Sequence, residues 1–262
     1  MRKGLPTTLI TGASGGIGEE LARVFAAKGH DLILAARRED RLQSLAEELG
    51  ASRAIEVHVF PADLAVPDGA AKLHAAVTEA GHEVGVLVNN SGLLAEGKFF
   101  DISLEQHCQI LDVNARALMQ LTHLFGRDMR QRKRGRILNV CSTSAFQPVP
   151  GLASYAATKA FVLSLSEALA IENAAHGVTV TALCPGFVQT DMTHRDDGGH
   201  MNLPMVPLLT AAEVAEQGYR ATIKGKTVYI NGLGNRMVQT LTKHQPRWVW
   251  HRIGKIMEHR KL

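Results

Sequence analysis

The amino-acid sequence predicts an α/β fold: a doubly wound parallel sheet of about seven strands with helices on both faces. Short apolar runs typical of buried strands alternate with segments of helical period, and a glycine-rich turn joins the first run to the first helix. No repeat or linker interrupts this alternation, which favours a parallel sheet because each strand needs a crossover helix. We therefore expect one domain over residues 1–234, followed by a basic, amphipathic helical tail over 235–262.

Composition and charge narrow the class of protein. The 262 residues are 45% hydrophobic and 21% charged, an ordinary globular mixture. No apolar run approaches the roughly 18 residues of a membrane span, and the N-terminus leads into a strand without a secretory signal. The basic run Arg127 to Arg136 is interpreted as a helix end that complements its dipole. We expect a cytoplasmic protein with no nucleic-acid partner.

The cysteines and histidines argue against a metal site. Cys108, Cys141 and Cys184 are scattered through apolar surroundings, which predicts buried thiols in a reducing compartment rather than a disulfide framework. Cys141 precedes Ser142 and is a candidate oxidant-sensitive thiol; the alternative is a small hydrophobe at the end of a strand. The twelve histidines show no H-E-x-x-H or paired-cysteine spacing, so no metal is expected.

A glycine-rich turn follows the first predicted strand, residues 7–11, and precedes a helix over 19–28. In this context glycines let backbone amides approach a pyrophosphate, and the helix N-terminus favours its negative charge. The spacing is G-x-x-x-G-x-G, and the alternative is a turn without a ligand. The candidate cofactor residues of this turn are Gly12, Ser14, Gly15, Gly16, Ile17 and Gly18.

The second predicted strand, residues 31–36, ends in Arg37 and Arg38, with no acid before Glu39. A carboxylate at this place holds the ribose 2′-hydroxyl of NAD, whereas guanidinium groups pair with a 2′-phosphate. The sequence therefore favours NADP(H), with Arg37 aided by Arg38. The alternative is that both arginines are solvated residues at the start of a helix.

The remaining elements follow in alternation. We predict helices over 39–49, 67–80, 103–133 and 154–175, another that starts at Thr210, and strands over 54–60, 84–88, 136–141, 178–183 and 227–230. Ser103 with Gln106, and Thr210 with Glu213, have the spacing of capping boxes. Residues of about 191–209, rich in His, Gly, Asp and Pro, are predicted to form a flap.

The candidate catalytic residues come from two elements. Tyr155 and Lys159 are four residues apart, so a helix presents them on one face. A lysine ammonium there favours the phenolate, and we therefore predict a lowered pKa for Tyr155. Ser142 closes the apolar run from Ile137 to Cys141 and has a hydroxyl that can donate to a carbonyl oxygen. The alternative is an exposed lysine and a half-buried tyrosine on an ordinary helix.

Together these segments resemble the short-chain dehydrogenase/reductase family, in its compact single-domain branch, over about residues 5–232. Asn89 to Gly92 is similar to the family's N-N-A-G segment and departs from it at Ser91. The resemblance implies a Rossmann-type fold. It implies a catalytic tetrad of Asn114, Ser142, Tyr155 and Lys159. It also implies cofactor contacts from Asp63, Leu64, Asn90, Ser91, Gly92, Pro185, Gly186, Val188 and Thr190.

The resemblance also implies a role for each member of the tetrad. Tyr155 donates a proton to the carbonyl oxygen during reduction, and Ser142 polarises that oxygen. Lys159 holds the nicotinamide ribose and depresses the pKa of Tyr155, while Asn114 holds a water that links Lys159 to solvent. The expected reaction is hydride transfer between NADP(H) and a small-molecule carbonyl or alcohol, in the direction of the alcohol.

The predicted flap is rich in apolar side chains, which favours an aliphatic, steroid-like or acyl-chain ketone as substrate. The residues concerned are Met192, Met201, Leu203, Met205, Val206, Leu208 and Leu209, with Phe146 and Phe187 flanking the site. His194 and His200 of the flap are interpreted as solvated. One rival function is a non-catalytic NADP(H)-binding regulator. Another is an epimerase or dehydratase, for whose usual substrate domain this chain has no room.

The sequence is compatible with more than one role for the tail and with more than one oligomeric state. Residues 247–262 place Trp250, Ile253, Ile256 and Met257 at helical spacing, flanked by basic residues. This helix could dock on its own domain, form a lid over the cleft or a dimer contact, or lie on anionic lipid. The resemblance implies a homodimer through the helices that carry Asn114 and Tyr155, and a homotetramer remains an alternative.

Overall fold

The computed structural model describes residues 5–52, 54–193 and 208–242. Its main feature is a sheet of seven parallel strands. The strands are β1 Thr7–Thr11, β2 Leu32–Ala36, β3 Val57–Pro61, β4 Val84–Asn89, β5 Gly135–Val140, β6 Val178–Cys184 and β9 Val228–Ile230. A small second sheet pairs β7 Val188–Gln189 with β8 Leu209–Thr210, which the sequence analysis did not predict.

The order of the strands in the large sheet is β3-β2-β1-β4-β5-β6-β9, so the predicted doubly wound, Rossmann-type fold is confirmed. Strand β1 pairs with β2 on one side and with β4 on the other. The order in which strands are added to the sheet therefore reverses after β3, from one side of β1 to the other. A crevice opens at this point, at the carboxyl ends of the strands. Open α/β sheets bind ligands in such crevices.

Helices cover both faces of the sheet. They are α1 Gly16–Ala27, α2 Glu39–Ser52, α3 Gly69–Glu79, α4 Leu104–Leu111, α5 Leu118–Gln131, α6 Ala153–Glu172, α7 Ala211–Ile223 and α8 Leu233–Thr242. On one face Phe25 of α1, Leu42 of α2 and Val214 of α7 share a core with the sheet. On the other face Leu73 of α3 and Phe125 of α5 pack in a second core. The sheet is thus buried on both sides.

Several predicted boundaries differ from the structure. Helix α2 runs through Gly50 to Ser52, because the backbone at Gly50 does not enter the left-handed region that would end the helix. Strand β3 starts at Val57 rather than at residue 54. The capping boxes at Ser103 and Thr210 are both formed, and they start α4 and α7 as predicted.

The helix predicted over 103–133 runs without a break from Leu104 to Gln131, but it is not uniform. A π-helical turn, Asp112–Ala117, separates α4 from α5 and contains the buried residue Asn114. Such a turn holds one residue more than an α-helical turn, and it is found most often at functional sites. At the far end of α5, Arg132 and Arg134 both pair with Glu83.

The predicted flap and tail fall mostly outside the described residues. His194, His200 and the apolar flap residues 201–206 lie there, as do residues 243–262 with Trp250, Ile253, Ile256 and Met257. Helix α8, Leu233–Thr242, crosses the predicted domain boundary at 234–235. Within the described ranges, no helix has the length and apolar character needed to cross a membrane.

Candidate active site

A cleft of about 420 Å³ opens at the carboxyl ends of the central strands. It brings together most of the predicted site residues. These are Gly12, Ser14, Gly15, Gly16, Ile17, Arg37, Arg38, Asp63, Leu64, Asn90, Ser91, Gly92, Ser142, Tyr155, Lys159, Pro185, Gly186, Val188 and Thr190. Two predicted residues, Gly18 and Asn114, do not line the cleft and lie behind its wall.

The glycine-rich turn is shaped by close packing. Gly12 and Gly16 have φ of +67° and +56°, the left-handed region that favours glycine. A Cβ at Gly18 would lie 2.2 Å from the carbonyl oxygen of Gly12, so Gly18 lets α1 pack against the turn instead of contacting a ligand. Helix α1 begins at Gly16, and its N-terminus therefore adjoins the cleft, where it favours an anion.

The segment after β4 forms hydrogen bonds with the glycine-rich turn. The side-chain amide of Asn90 donates to the carbonyl oxygens of Thr11 and Gly12 at 3.0 and 3.2 Å. The hydroxyl of Thr11 accepts the backbone N–H groups of Asn90 and Ser91 at 3.0 and 3.2 Å. The two sides of the crevice are thus joined by hydrogen bonds at the point where the strand order reverses.

Arg38 lies against the turn. Its guanidinium donates to the hydroxyl of Ser14 at 3.1 and 3.2 Å and to the carbonyl oxygen of Ser14 at 2.9 Å. Arg37 is exposed and also lines the cleft, as does Ala36, which stands where an NAD-binding protein carries an acid. The contact between Arg38 and Ser14 joins two elements and could not be inferred from sequence spacing.

Ser142, Tyr155 and Lys159 meet at the other end of the cleft. Lys159 is buried, its Nζ donates to the carbonyl oxygen of Val140 at 2.9 Å, and Nζ lies 5.5 Å from the centre of the Tyr155 ring. The hydroxyl of Ser142 donates to that of Ser144 at 3.1 Å and accepts the backbone N–H of Ser144. Ser142 lies in the turn after β5, and Tyr155 and Lys159 both lie on α6, as their spacing predicted.

The predicted direction of the Tyr155 pKa shift is wrong. Burial raises the pKa of Tyr155 to about 12, although a hydrogen bond with Ser142 acts to lower it. Burial also lowers the pKa of Lys159. Desolvation therefore decides the direction of the Tyr155 shift. Tyr155 is held as a neutral phenol at pH 7, which is the form that can donate a proton.

Asn114 is completely buried behind Gly92. Its Oδ1 accepts the backbone N–H of Leu93 at 2.7 Å, and its Nδ2 donates to the carbonyl oxygen of Leu93 at 2.9 Å and to the hydroxyl of Thr158 at 3.2 Å. The residue thus joins the loop after β4 to α6. That it holds a water beside Lys159 stays a prediction.

His107 of α4 was not predicted to belong to the site. It is buried, and its Nε2 lies 2.9 Å from the carbonyl oxygen of Phe99, so Nε2 carries the proton. Its Nδ1 then accepts the hydroxyl of Ser154, at 2.8 Å, and its ring stacks on that of Phe99. Ser154 directly precedes Tyr155. His107 therefore connects the N-terminal end of α6 to the loop after β4.

Further residues line the cleft that the sequence analysis did not single out as site residues. They are Ala36, Ala62, Leu93, Val113, Val140, Cys141, Asp191, Met192 and Thr193. Met192 was predicted as part of the flap, whereas Phe146 and Phe187 do not line the cleft. The prediction that all three cysteines are buried is wrong, because Cys108 is exposed on α4. Leu104 and Leu111, four residues before and three residues after Cys108, are also exposed, so this face of α4 points to solvent.

The comparison of the sequence with known protein families shows to which family the protein belongs. The sequence profile described as short chain dehydrogenase matches residues 6–199, most of the chain. This protein is a member of the short-chain dehydrogenase/reductase family. It is therefore related to oxidoreductases that use a nicotinamide cofactor.

Curated relatives in this family carry different names. The chain is 34% identical to "Nodulation protein G" of Rhizobium sp. (strain N33), over 86% of this chain and 94% of the relative. It is 30% identical to "3-oxoacyl-[acyl-carrier-protein] reductase FabG" of Vibrio cholerae, over 86% and 95%. It is also 30% identical to "Inactive hydroxysteroid dehydrogenase-like protein 1" of Homo sapiens, over 92% and 73%.

Solved structures of short-chain dehydrogenases have the same fold. A short-chain dehydrogenase from Sphingobium yanoikuyae in complex with NADPH has a TM-score of 0.80 and 32% identity, and the match covers 93% of this chain and 97% of that one. A 7β-hydroxysteroid dehydrogenase has a TM-score of 0.83 and 28% identity, with 97% and 98% covered.

Proposed function

We propose that this protein reduces an apolar ketone or aldehyde to the alcohol, with NADP(H) as cofactor and Tyr155 as the proton donor. One observation carries the proposal. Ser142, Tyr155 and Lys159 lie on the wall of a single cleft, and Arg37 and Arg38 line the same cleft. A reactive end and an end suited to a phosphate are thus present in one site.

The residues present fit NADP(H). The turn at Gly12 and Gly16 and the N-terminus of α1 are suited to the pyrophosphate. Arg38, fixed by Ser14, and Arg37 would pair with the 2′-phosphate, and Ala36 stands directly before them in place of an acid that would repel it. Asp63, which lines the cleft and whose Oδ1 accepts the N–H of Ala65 at 2.9 Å, would face the adenine. Among solved relatives, the enzyme of Sphingobium yanoikuyae was determined with NADPH.

The side chains of this protein would control the proton in the reaction. NADPH, when bound, supplies the hydride. Tyr155, whose raised pKa keeps it protonated, donates its proton to the carbonyl oxygen as negative charge develops there. Ser142 donates a second hydrogen bond to that oxygen, and the ammonium of Lys159 stabilises the phenolate that Tyr155 becomes.

The substrate we propose is apolar near its carbonyl group. The cleft includes Leu93, Val113 and Met192 in addition to the polar catalytic residues. Apolar walls with few convergent polar groups suit aliphatic, steroid-like or acyl-chain ketones better than sugars. The relatives named for a 3-oxoacyl and for a hydroxysteroid substrate support this class.

The test measures oxidation of NADPH by the purified protein with a panel of aliphatic ketones, steroid ketones and 3-oxoacyl thioesters. We expect turnover with NADPH, much weaker turnover with NADH, and loss of turnover in Tyr155→Phe. Turnover that is unchanged in Tyr155→Phe would contradict the proposed role of Tyr155. A preference for NADH would contradict the proposed role of Arg37 and Arg38.

A non-catalytic NADP(H)-binding regulator is the second candidate function, because one relative is named as inactive. The side chains needed for catalysis, Ser142, Tyr155 and Lys159, favour the enzyme, since a binding module does not require Tyr155. Tight NADPH binding without turnover of any substrate in the panel would favour the regulator.

We further propose a homodimer through α5 and α6. Met119 of α5 and Phe161 of α6 are 44% and 40% exposed, which is unusual for large apolar side chains on neighbouring helices. A groove of about 320 Å³ runs between these helices and includes Leu165 and Leu169. Light scattering on the purified protein should give the mass of a dimer or a tetramer, and Met119→Glu should shift it toward the monomer.

We also propose that the chain consists of a catalytic domain and a C-terminal tail. Residues 1–234 would form the NADP-binding catalytic domain and residues 235–262 a basic tail, whose first residues belong to α8. Of the alternatives for this tail, binding to anionic lipid is tested by sedimentation with vesicles of phosphatidylserine and phosphatidylcholine.

A further inference from the structure

Cys141 and Cys184 are neighbours on adjacent parallel strands. Each follows directly after a pair of residues in register, Val140 on β5 and Leu183 on β6, and the N–H of Cys141 donates to the carbonyl oxygen of Leu183 at 2.7 Å. Residues at the same level of adjacent parallel strands project to one face of the sheet, about 4.8 Å apart. That separation falls within the range of about 4.4–6.8 Å between the Cα atoms of a disulfide.

The surroundings of the two thiols confirm that they share a face. Cys141 and Cys184 belong to one small apolar cluster with Leu118 and Val162, and their exposed fractions are 2% and 0%. Cys141 lines the cleft, whereas Cys184 lies behind it. A small molecule that enters the cleft therefore reaches Cys141 first.

The electrostatic environment distinguishes the two thiols. The Cys141 thiol donates to the backbone carbonyl oxygen of Lys159 at 3.2 Å. Burial acts to raise the pKa of Cys141, but the neighbouring Cys184 thiol and the positive charge of Lys159 lower it. The neighbouring Cys141 thiol, together with burial, raises the pKa of Cys184 well above its ordinary value. The thiolate is the form that attacks peroxides, so Cys141 has the character of the attacking thiol and Cys184 that of the resolving thiol.

We propose that Cys141 and Cys184 are a modification site at which a hydroperoxide forms an intramolecular disulfide. The Cys141 thiolate attacks the peroxide O–O bond, which gives a sulfenic acid on Cys141 and releases the other oxygen as water or an alcohol. The Cys184 thiol then attacks the sulfenic sulfur, the S–S bond forms, and a second water leaves. The two cysteines lose two electrons and the peroxide gains them.

The disulfide would alter the candidate active site. Ser142 follows Cys141 and Pro185 follows Cys184, and the N–H of Thr143 donates to the carbonyl oxygen of Pro185 at 2.8 Å. Drawing the two sulfur atoms into a bond moves both segments, and displacement of a catalytic group by about 1 Å costs on the order of 10²-fold in rate. This consequence rests on the proposed function, whereas formation of the disulfide does not.

The test treats the full-length protein with hydrogen peroxide and maps its thiols by proteolysis and mass spectrometry. We expect a cross-linked pair of peptides that contains Cys141 and Cys184 and is resolved by a thiol reductant. Cys108→Ser is the matched control, because it removes the third cysteine, which is exposed, and should leave the cross-link unchanged. In Cys184→Ala, dimedone should trap the sulfenic acid on Cys141.

Two outcomes would overturn the proposal. One is a peroxide-treated protein in which Cys141 and Cys184 both remain free thiols. The other is oxidation of Cys141 to a sulfinic acid in the wild type, without a cross-link to Cys184. Mapping on the wild type does not depend on a variant that folds, and it needs no turnover. The effect on the active site is judged separately, from the loss of NADPH oxidation with peroxide, on the order of 10²-fold, and its recovery with reductant. The proposed function itself is judged from NADPH oxidation by the untreated protein.

Discussion

The two ends of the cleft use charge in opposite ways. At one end Arg37 and Arg38 are exposed, and Arg38 is held by Ser14 without being removed from water. At the other end Lys159 is only 4% exposed, and burial shifts the pKa values of both Lys159 and Tyr155. An exposed cation selects a ligand by its charge, whereas a buried group has its protonation state set by the protein. Substitutions at the two ends should therefore change different measured quantities.

The largest expected effect comes from removing the proton donor. Tyr155→Phe should lower kcat about 10²–10⁴-fold, the range for loss of a general acid, while the Kd of NADPH changes little. Steady-state kinetics and a fluorescence titration with NADPH measure the two quantities. Tyr219→Phe, on α7 and away from the cleft, is the matched control and should retain full activity. A similar loss in both variants would indicate a general defect in folding.

The second prediction concerns the pKa of Tyr155. In the cofactor-free protein, one tyrosine should ionise near pH 12 instead of near 10, because burial disfavours the phenolate. The raised pKa also makes stability depend on pH. Between about pH 10 and 12 the folded state keeps a proton that the unfolded state loses, so the free energy of unfolding falls as pH rises through this range. Ultraviolet titration of wild type and Tyr155→Phe gives the pKa by difference. A titration midpoint of Tyr155 below pH 10 would contradict the raised pKa and support the lowered one that the sequence predicted.

Substitutions at the exposed end of the cleft should change the affinity for NADPH relative to NADH, and not the protonation of Tyr155. Arg38→Ala removes a charge-assisted hydrogen bond of about 1.5–3 kcal/mol, so the Kd of NADPH should rise about 10–100-fold while that of NADH is unchanged. Arg41→Ala, exposed in the first turn of α2 just after Arg38, is the control. Equal weakening of both cofactors in Arg38→Ala would show that Arg38 acts through the turn at Ser14 and not through the 2′-phosphate.

The smallest effect is expected at His107, which contacts Ser154 and not the cleft. His107→Gln loses part of a pair of hydrogen bonds worth about 0.5–1.5 kcal/mol each, so kcat should fall about 2–10-fold with the KM for NADPH unchanged. His107→Asn can keep only one of the two contacts and should be worse than Gln. His176→Gln, in the turn after α6, is the control. Equal effects of Gln and Asn would argue that His107 only fills space.

The sequence predicted those parts of the structure that depend on local spacing. The alternation of elements follows from apolar runs and helical periods, and the turn at Gly12 follows from its glycines. The shared face of Tyr155 and Lys159 follows from the helical period of 3.6 residues. The hydrogen bonds of Arg38 with Ser14 and of His107 with Ser154 join distant elements, and no spacing encodes them. The pKa of Tyr155 was predicted with the wrong sign for the same reason, because desolvation depends on everything that packs around the side chain.

The π-helical turn that carries Asn114 has a consequence for tolerance to mutation. Its additional residue rotates α4 relative to α5 by about 100°, the angle between successive residues of a helix. With this rotation His107 meets Ser154 while Asn114, seven residues later, meets Leu93. Deleting one residue from Asp112–Ala117 would restore a regular helix and turn one of these side chains away from its partner. This stretch should therefore accept substitutions at its partly exposed positions but not a change in length.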